Sequence, residues 1–352
     1  MDNKNQLGMH FFAILLGVAV VLLSLVISLF VIMSNGGDNT PITDNPTGNN
    51  NNTPKDPGSV NVGLNNSPLF PTNPSRTSYI IAKANDVVTI GDEIKSEHSI
   101  LVDLSSYQSI AEKGADDKIY PASMTKVMTL IVACERVTDI KEKLTVTEEL
   151  ARFAEENDGS GAGLKVGDSY TIEDLLYLIS YQSDTIASHL IARHIAGSEE
   201  AFVELMNKKA TEDLKLENTK FANCTGLYDD NNYTTCREMA SIMAYALDNE
   251  MVYKCLSSYT GRKMYVGGTE CTFYSGWYSY RFRDNPKFTG GKIIAGKTGY
   301  TDESGYTLVS CAEIDGKKYI NVIVTRTDKN STVKVQEGPS AEEVKLIYKT
   351  YS

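Results

Sequence analysis

The sequence predicts an α+β fold, and three observations carry that prediction. Strand-like runs stand near both ends of the patterned part of the chain, at residues 99–112 and 292–325. Helical periodicities fill the interval between them. No second linker and no internal repeat divides the stretch from residue 79 onward. Strands at both ends with helices between them allow the first and last strands to share one sheet, with helices packed on it.

The N-terminal part is of a different kind. Residues 9–33 are apolar almost throughout, with His10 as the one titratable group. A helix of that length rises far enough to cross a hydrocarbon core of about 30 Å. The run exceeds the usual apolar region of a cleaved signal peptide and ends without a good small-x-small site. Residues 1–8 are therefore expected on the cytoplasmic side and residues 9–33 as a retained, single-pass signal anchor. A long signal peptide cut near Ser34 is the alternative, and both put the remainder outside the membrane. Lys4 ahead of the run agrees with that orientation, although Asp2 offsets it. Residues 34–78 are rich in Asn, Pro, Gly and Thr, with Asn49-Asn50-Asn51-Asn52 at the centre, and read as a flexible linker. Residues 79–352 are expected to form a single extracellular domain.

Within that domain, residues 99–102 and 109–112 read as strands around a turn at 104–107. Helical patterns cover residues 123–137, 172–195, 199–214 and 237–248. Strands return at 292–297, 306–312 and 319–325, and residues 341–351 read as a closing helix. In the 352 residues, 41% are hydrophobic and 22% charged, which suits a chain with a real core and excludes wholesale disorder. A formal net charge of -11 repels phosphate, so nucleic acid is not an expected partner. No Cys-x-x-Cys and no His-x-x-x-His occurs. His189 and His194 stand at i and i+5, off a common helix face. No metal and no cofactor is therefore expected. Cys134 and Cys311 lie in apolar contexts as buried thiols, whereas Cys224 with Cys236, and Cys255 with Cys271, are placed to pair if oxidised.

Two motifs carry chemistry. Pro121-Ala122-Ser123-Met124-Thr125-Lys126 opens an apolar helix, which puts Ser123 and Lys126 on one face, one turn apart. A lysine in a partly buried site loses basicity and can act as a base, so Ser123 and Lys126 form a nucleophile and its activator without a histidine. The plain alternative is a helix cap followed by a surface lysine. Ser331-Thr332-Val333-Lys334 repeats the spacing in a polar context and reads as solvated surface. The second motif, Lys297-Thr298-Gly299, follows the apolar Ile293-Ile294-Ala295. On a strand it offers a cation, a hydroxyl and a bare backbone to an extended peptide ending in a carboxylate. A hairpin turn with an exposed lysine is the bland reading.

Together, Ser-x-x-K followed by Lys-Thr-Gly is a signature of penicillin-recognising serine enzymes. Residues 121–126, Gly161 to Gly167, Asp174-Leu175-Leu176-Tyr177, Gly226-Leu227, Tyr233-Thr234-Thr235 and the stretch 297–306 resemble the low-molecular-mass penicillin-binding proteins. That family contains the serine-type D-alanyl-D-alanine carboxypeptidases. The resemblance implies a β-lactamase/transpeptidase-like architecture, an antiparallel sheet packed against helices. It implies Ser123 as the acylated nucleophile and Lys126 as general base. Lys297, Thr298 and Gly299 would bind the terminal carboxylate of a peptidoglycan stem peptide, and the N–H groups of Ser123 and Tyr300 the oxyanion. β-Lactams would acylate the same serine. The family's middle motif, Ser-x-Asn, aligns on Ser183-Asp184-Thr185, so Ser183 would relay a proton and Thr185 would stand where an amide contacts substrate. A register on Ser180-Tyr181-Gln182 is the alternative, and helix capping by Ser183-Asp184 the plain one. Other functions compatible with these motifs are a serine β-lactamase, a D,D-endopeptidase and a non-catalytic wall-binding domain. Glu217, the nearest candidate for a deacylating glutamate, lacks the asparagine expected four residues on, where Phe221 stands.

Overall fold

A computed structural model describes residues 67–282, 285–325 and 341–352. The expected anchor at 9–33, the residues before it, linker residues 34–66 and Ser331-Thr332-Val333-Lys334 lie outside the described residues. Among the described residues, no helix is long and apolar enough to cross a membrane.

In chain order the strands are β1 (Ala82–Thr89), β2 (His98–Asp103), β3 (Gln108–Lys113), β4 (Lys143–Thr145) and β5 (Ser169–Thr171). They continue as β6 (Arg262–Val266), β7 (Thr269–Phe273), β8 (Lys287–Phe288), β9 (Gly291–Thr301), β10 (Gly305–Ile314) and β11 (Lys317–Thr325). The helices are α1 (Lys126–Cys134), α2 (Glu148–Glu156), α3 (Ile172–Tyr181), α4 (Thr185–Ala196), α5 (Glu199–Lys208), α6 (Cys236–Ala246), α7 (Glu250–Ser257) and α8 (Ala341–Tyr351).

Seven strands form the main sheet in the order β1-β3-β2-β11-β10-β9-β8. The first and last strand groups meet where β2 pairs antiparallel with β11, Ile100 opposite Val322. The sheet is antiparallel except at one edge, where β1 runs parallel to β3. The strand period of two sorts side chains onto two faces. Ile100, Val102, Val309, Cys311, Ile320 and Val322 face the helical body built around α1. Leu101, Leu308, Ala312 and Ile323 face the opposite side, which α8 covers with Val344, Ile347 and Tyr348. The Tyr348 hydroxyl donates to Ser310 O at 2.9 Å and accepts Asn321 N–H at 3.1 Å, which ties α8 to β10 and β11.

Helix α1 is the hub of the helical layer. All nine of its residues are buried, as its all-round apolar sequence requires. The expected helix 123–137 begins with a 3-10 turn at Ala122–Thr125 and ends at Cys134. The expected helix 172–195 is two helices, α3 and α4. Between them Ser183 takes a left-handed φ of 52°, and Asp184 caps α4 by accepting Ala187 N–H at 2.8 Å. The expected linker boundary at residue 78 moves toward the N-terminus. Leu69 N–H donates to Val137 O, Asn249 donates to Phe70 O, and Thr72 donates to Glu135, so residues 69–75 are held along the helical body. All six cysteines are free thiols, so the pairings that the sequence left open, Cys224 with Cys236 and Cys255 with Cys271, are not formed here.

Candidate active site

Ser123 sits in the 3-10 turn ahead of α1, and the backbone there is forced. Ala122 has φ 47°, a left-handed value that a non-glycine residue adopts under strain. Two neighbours hold it. Thr307 Oγ1 on β10 donates to Pro121 O at 3.1 Å. Gly226, at φ 76°, lies so close that a Cβ would stand 2.0 Å from Ala122 O. The result is a serine presented at the edge of a cleft of about 280 Å³, with Thr298, Gly299 and Tyr300 of β9 on the opposite wall.

Lys126 lies one turn beyond Ser123 and is 1% exposed. Its Nζ donates to Ser123 Oγ at 3.3 Å and to Thr225 O. Burial pulls its pKa down to about 8, although the side chains of Cys224 and Asp184 act to lift it. Lys297 on β9 is 2% exposed and donates to Ser183 Oγ and, at 2.8 Å, to Thr298 O. Burial, and then the positive field of Lys126, hold its pKa well below the usual lysine range. Two enclosed lysines thus flank the serine, one on α1 and one on the sheet. Burial weakens the basicity of both, and Lys126, at about 8, can exchange a proton near neutrality.

Glycine makes the close approach between wall and nucleophile. A Cβ on Gly299 would lie 2.8 Å from Ser123 N and 2.5 Å from Thr307 Oγ1. The strand backbone after Lys297 therefore runs directly past the N–H of Ser123, which suits two N–H groups converging on one oxyanion. Tyr300 exposes its ring, and its hydroxyl donates to Asp302 at 2.9 Å.

The structure brings Ser123, Lys126, Ser183, Lys297, Thr298, Gly299 and Tyr300 together. It does not bring Thr185 with them. Thr185 is 1% exposed and lies under Gly159, where an added Cβ would meet its side chain at 2.9 Å. The substrate contact expected of Thr185 is corrected for that reason. As the first residue of α4 it points beneath the 159–163 loop, and its N–H donates to Ser160 O at 2.8 Å. The residues that α3 and its end present to the cleft are Tyr181, Gln182 and Ser183. Neither register weighed from the sequence is that triplet.

Sequence reading also missed Ser160, Arg281 and Tyr306, which line the same cleft. Ser160 lies in Gly159-Ser160-Gly161-Ala162-Gly163, and such a run signals close backbone approach. Asp184 fixes that loop by accepting Ala162 N–H at 2.7 Å, and its own burial raises its pKa. Arg281 stacks its guanidinium over the Tyr306 ring at 5.5 Å. Near it, Trp277 and Phe282 are core residues, with Trp277 Nε1–H donating to Leu256 O at 2.8 Å. Glu217 is exposed, beside Glu238, and does not line the cleft.

An α+β scaffold with a serine, its buried lysine and a Lys-Thr-Gly strand across one cleft defines a class, the serine enzymes of the penicillin-binding type. The chain belongs to the D-alanyl-D-alanine carboxypeptidase family, whose model matches residues 83–328. It is 30% identical over 251 residues to the D-alanyl-D-alanine carboxypeptidase DacF of Bacillus subtilis, covering 68% of this chain and 60% of DacF. It is 32% identical over 264 residues to DacA of Escherichia coli K12, covering 72% and 60%. The chain thus spans about 60% of the length of these relatives. Among solved structures, the Streptomyces K15 DD-transpeptidase superposes with a TM-score of 0.63 at 23% identity, over 75% of this chain and 98% of the other. A D-alanyl-D-alanine carboxypeptidase from Mycobacterium tuberculosis gives 0.62 at 21% identity, over 76% and 94%. At that identity the likeness is one of fold.

Proposed function

We propose that this protein is a serine D-alanyl-D-alanine carboxypeptidase that removes the terminal D-Ala of peptidoglycan stem peptides. The observation that carries the reading is the Lys126 amine, enclosed on all sides and bonded to the Ser123 hydroxyl at 3.3 Å. Neutral Lys126 accepts the hydroxyl proton as Ser123 Oγ attacks the carbonyl carbon of the penultimate D-Ala. The carbonyl oxygen takes the negative charge and is held by the N–H groups of Ser123 and Tyr300. The C–N bond then breaks. The leaving nitrogen takes the proton from the Lys126 ammonium, relayed by Ser183. Water attacks the ester by the reverse sequence and frees Ser123. The substrate's carboxylate belongs beside Lys297 and Thr298, where its negative charge favours the protonated form of Lys297 against the burial that lowers its pKa.

The apolar residues 9–33 and the Asn-rich segment after them support a location at the bacterial cell membrane. There the catalytic domain would stand outside, within reach of the wall. The test of function is intact-mass measurement after addition of penicillin, followed by D-Ala release from a stem peptide ending in D-Ala-D-Ala. A persistent penicilloyl adduct on Ser123 with D-Ala release is the expected result. A short-lived adduct with rapid drug consumption would make the protein a β-lactamase, and folded protein without an adduct a binding domain. Cleavage of cross-linked dimers in preference to the stem peptide would make it an endopeptidase.

A further inference from the structure

Behind the Ser123–Lys126 pair, three elements converge on one carboxylate. His189 comes from the middle of α4, Glu199 is the first residue of α5, and Cys224 lies in the loop ahead of Gly226. Their ligand atoms all lie within 4.8 Å of one another. We propose that His189, Glu199 and Cys224 form a binding site for one thiophilic divalent cation, zinc being the ion whose ligand preferences the set matches.

The orientation of His189 is the first argument. Its Nδ1 lies 3.0 Å from Thr185 O, a backbone carbonyl that can only accept, so Nδ1 carries a proton. In the neutral ring that leaves Nε2 as a lone pair, aimed at Glu199 Oε2 at 2.9 Å. Two acceptors at that distance need a positive species, either a second ring proton or a metal ion. A ring N–H fixed on a backbone carbonyl is also how metal-binding histidines are oriented. The second argument is the way Glu199 gathers its partners. Oε1 accepts Cys224 N–H at 3.0 Å, and the Cys224 thiol also reaches the carboxylate. The third is access. A cavity of about 290 Å³ bounded by Phe153, Arg193 and Ser198 reaches His189 and Glu199, with room for a water as fourth ligand. On binding, the Cys224 S–H bond breaks and an S–metal bond forms, the proton leaving to solvent with no change of oxidation state. One carboxylate and one thiolate then neutralise the dication, which removes the objection to burying it.

The site touches the catalytic base through the backbone. Thr129 Oγ1 donates to Cys224 O at 2.7 Å, and Lys126 Nζ donates to the next carbonyl, Thr225 O. Drawing the Cys224 sulfur onto an ion displaces those carbonyls, so metal is expected to slow acylation. The binding claim does not depend on the proposed function, because its readout is spectroscopic.

The test uses the full chain, freed of metal and titrated with cobalt(II) as a probe, then with zinc as competitor. One equivalent of cobalt with a thiolate charge-transfer band, abolished by zinc, is the expected result. Cys224→Ser should lose that band, and Glu199→Gln should weaken binding by at least ~10-fold. A titration without the band overturns the proposal, as does a Cys224→Ser protein that keeps it. Should Cys224→Ser fail to fold, X-ray absorption on the zinc-loaded wild type decides. One sulfur and one imidazole in the coordination shell support the site, and a shell of oxygen alone overturns it.

Discussion

The partners of the Lys126 amine are a serine hydroxyl and a backbone carbonyl, both neutral, so no charged group in direct contact stabilises its ammonium form. A base with a pKa of about 8 is mostly protonated at pH 6 and mostly free at pH 9. The rate of penicillin acylation should therefore rise with pH, pass half-maximum at about 8 and level off beyond it, measured as the second-order acylation constant across that range. A rise centred in the carboxylate range instead would assign the base to an acid side chain. Ser123→Ala should lower acylation by at least ~10⁴-fold while the thermal melt stays close to wild type. A retained adduct would remove Ser123 from the mechanism. At this scale Ser123, Lys126 and Lys297 were legible because spacing along one helix or strand is a local property. Thr185 was misread, because the direction of its side chain depends on where α4 begins and on which loop lies above it.

Single elements hold the serine in its strained turn, and glycine is the means. Gly226→Ala would drive a methyl group into Ala122 O and demand a left-handed alanine as well. It should cost about 3 kcal/mol or more in urea unfolding and abolish acylation. A normal denaturation midpoint would mean that the turn accommodates the change. Asp184 does two things, capping α4 and holding Ala162 N–H of the cleft loop. Asp184→Ala should cost about 2 kcal/mol and weaken acylation through the released loop, read by urea unfolding and by the acylation rate together. The long apolar runs that became α1, β10 and β11 were legible. β1, α2, α7 and the β6–β7 hairpin were not. β1 is an edge strand with mostly exposed residues, so no alternation marks it. α2 is largely polar, although Thr147 caps it. The hairpin carried its signal in Gly267-Gly268.

Across the whole domain, residues 69–75 act as a strap over the helical body. Asn249, fully buried, caps α7 with its oxygen and donates its amide to Phe70 O at 2.7 Å. Asp248 accepts Ser75 N–H at 2.9 Å and the Tyr79 hydroxyl as well. A chain that begins at Tyr79 should therefore melt lower than one that begins at Ser67, by about 4–8 °C for a loss of about 2 kcal/mol. Equal melting temperatures would show that water replaces the strap at no cost. The boundary lay earlier than composition suggests because Leu69 and Phe70 are too few to make a periodic pattern, although Phe70 packs against the core and its neighbours are held by hydrogen bonds.

By itself the sequence determined the α+β class and the two motifs whose chemistry depends on spacing along a single element, and it allowed the first and last strands to share a sheet. These follow from hydrophobic period and local steric rules, which act over a few residues. Only the tertiary structure decided which of Ser183 and Thr185 faces the cleft and that Ser160 and Arg281 line it. It alone brought His189, Glu199 and Cys224 together. Those relations join residues far apart in the chain, and burial and convergence of that kind arise only when the layers pack.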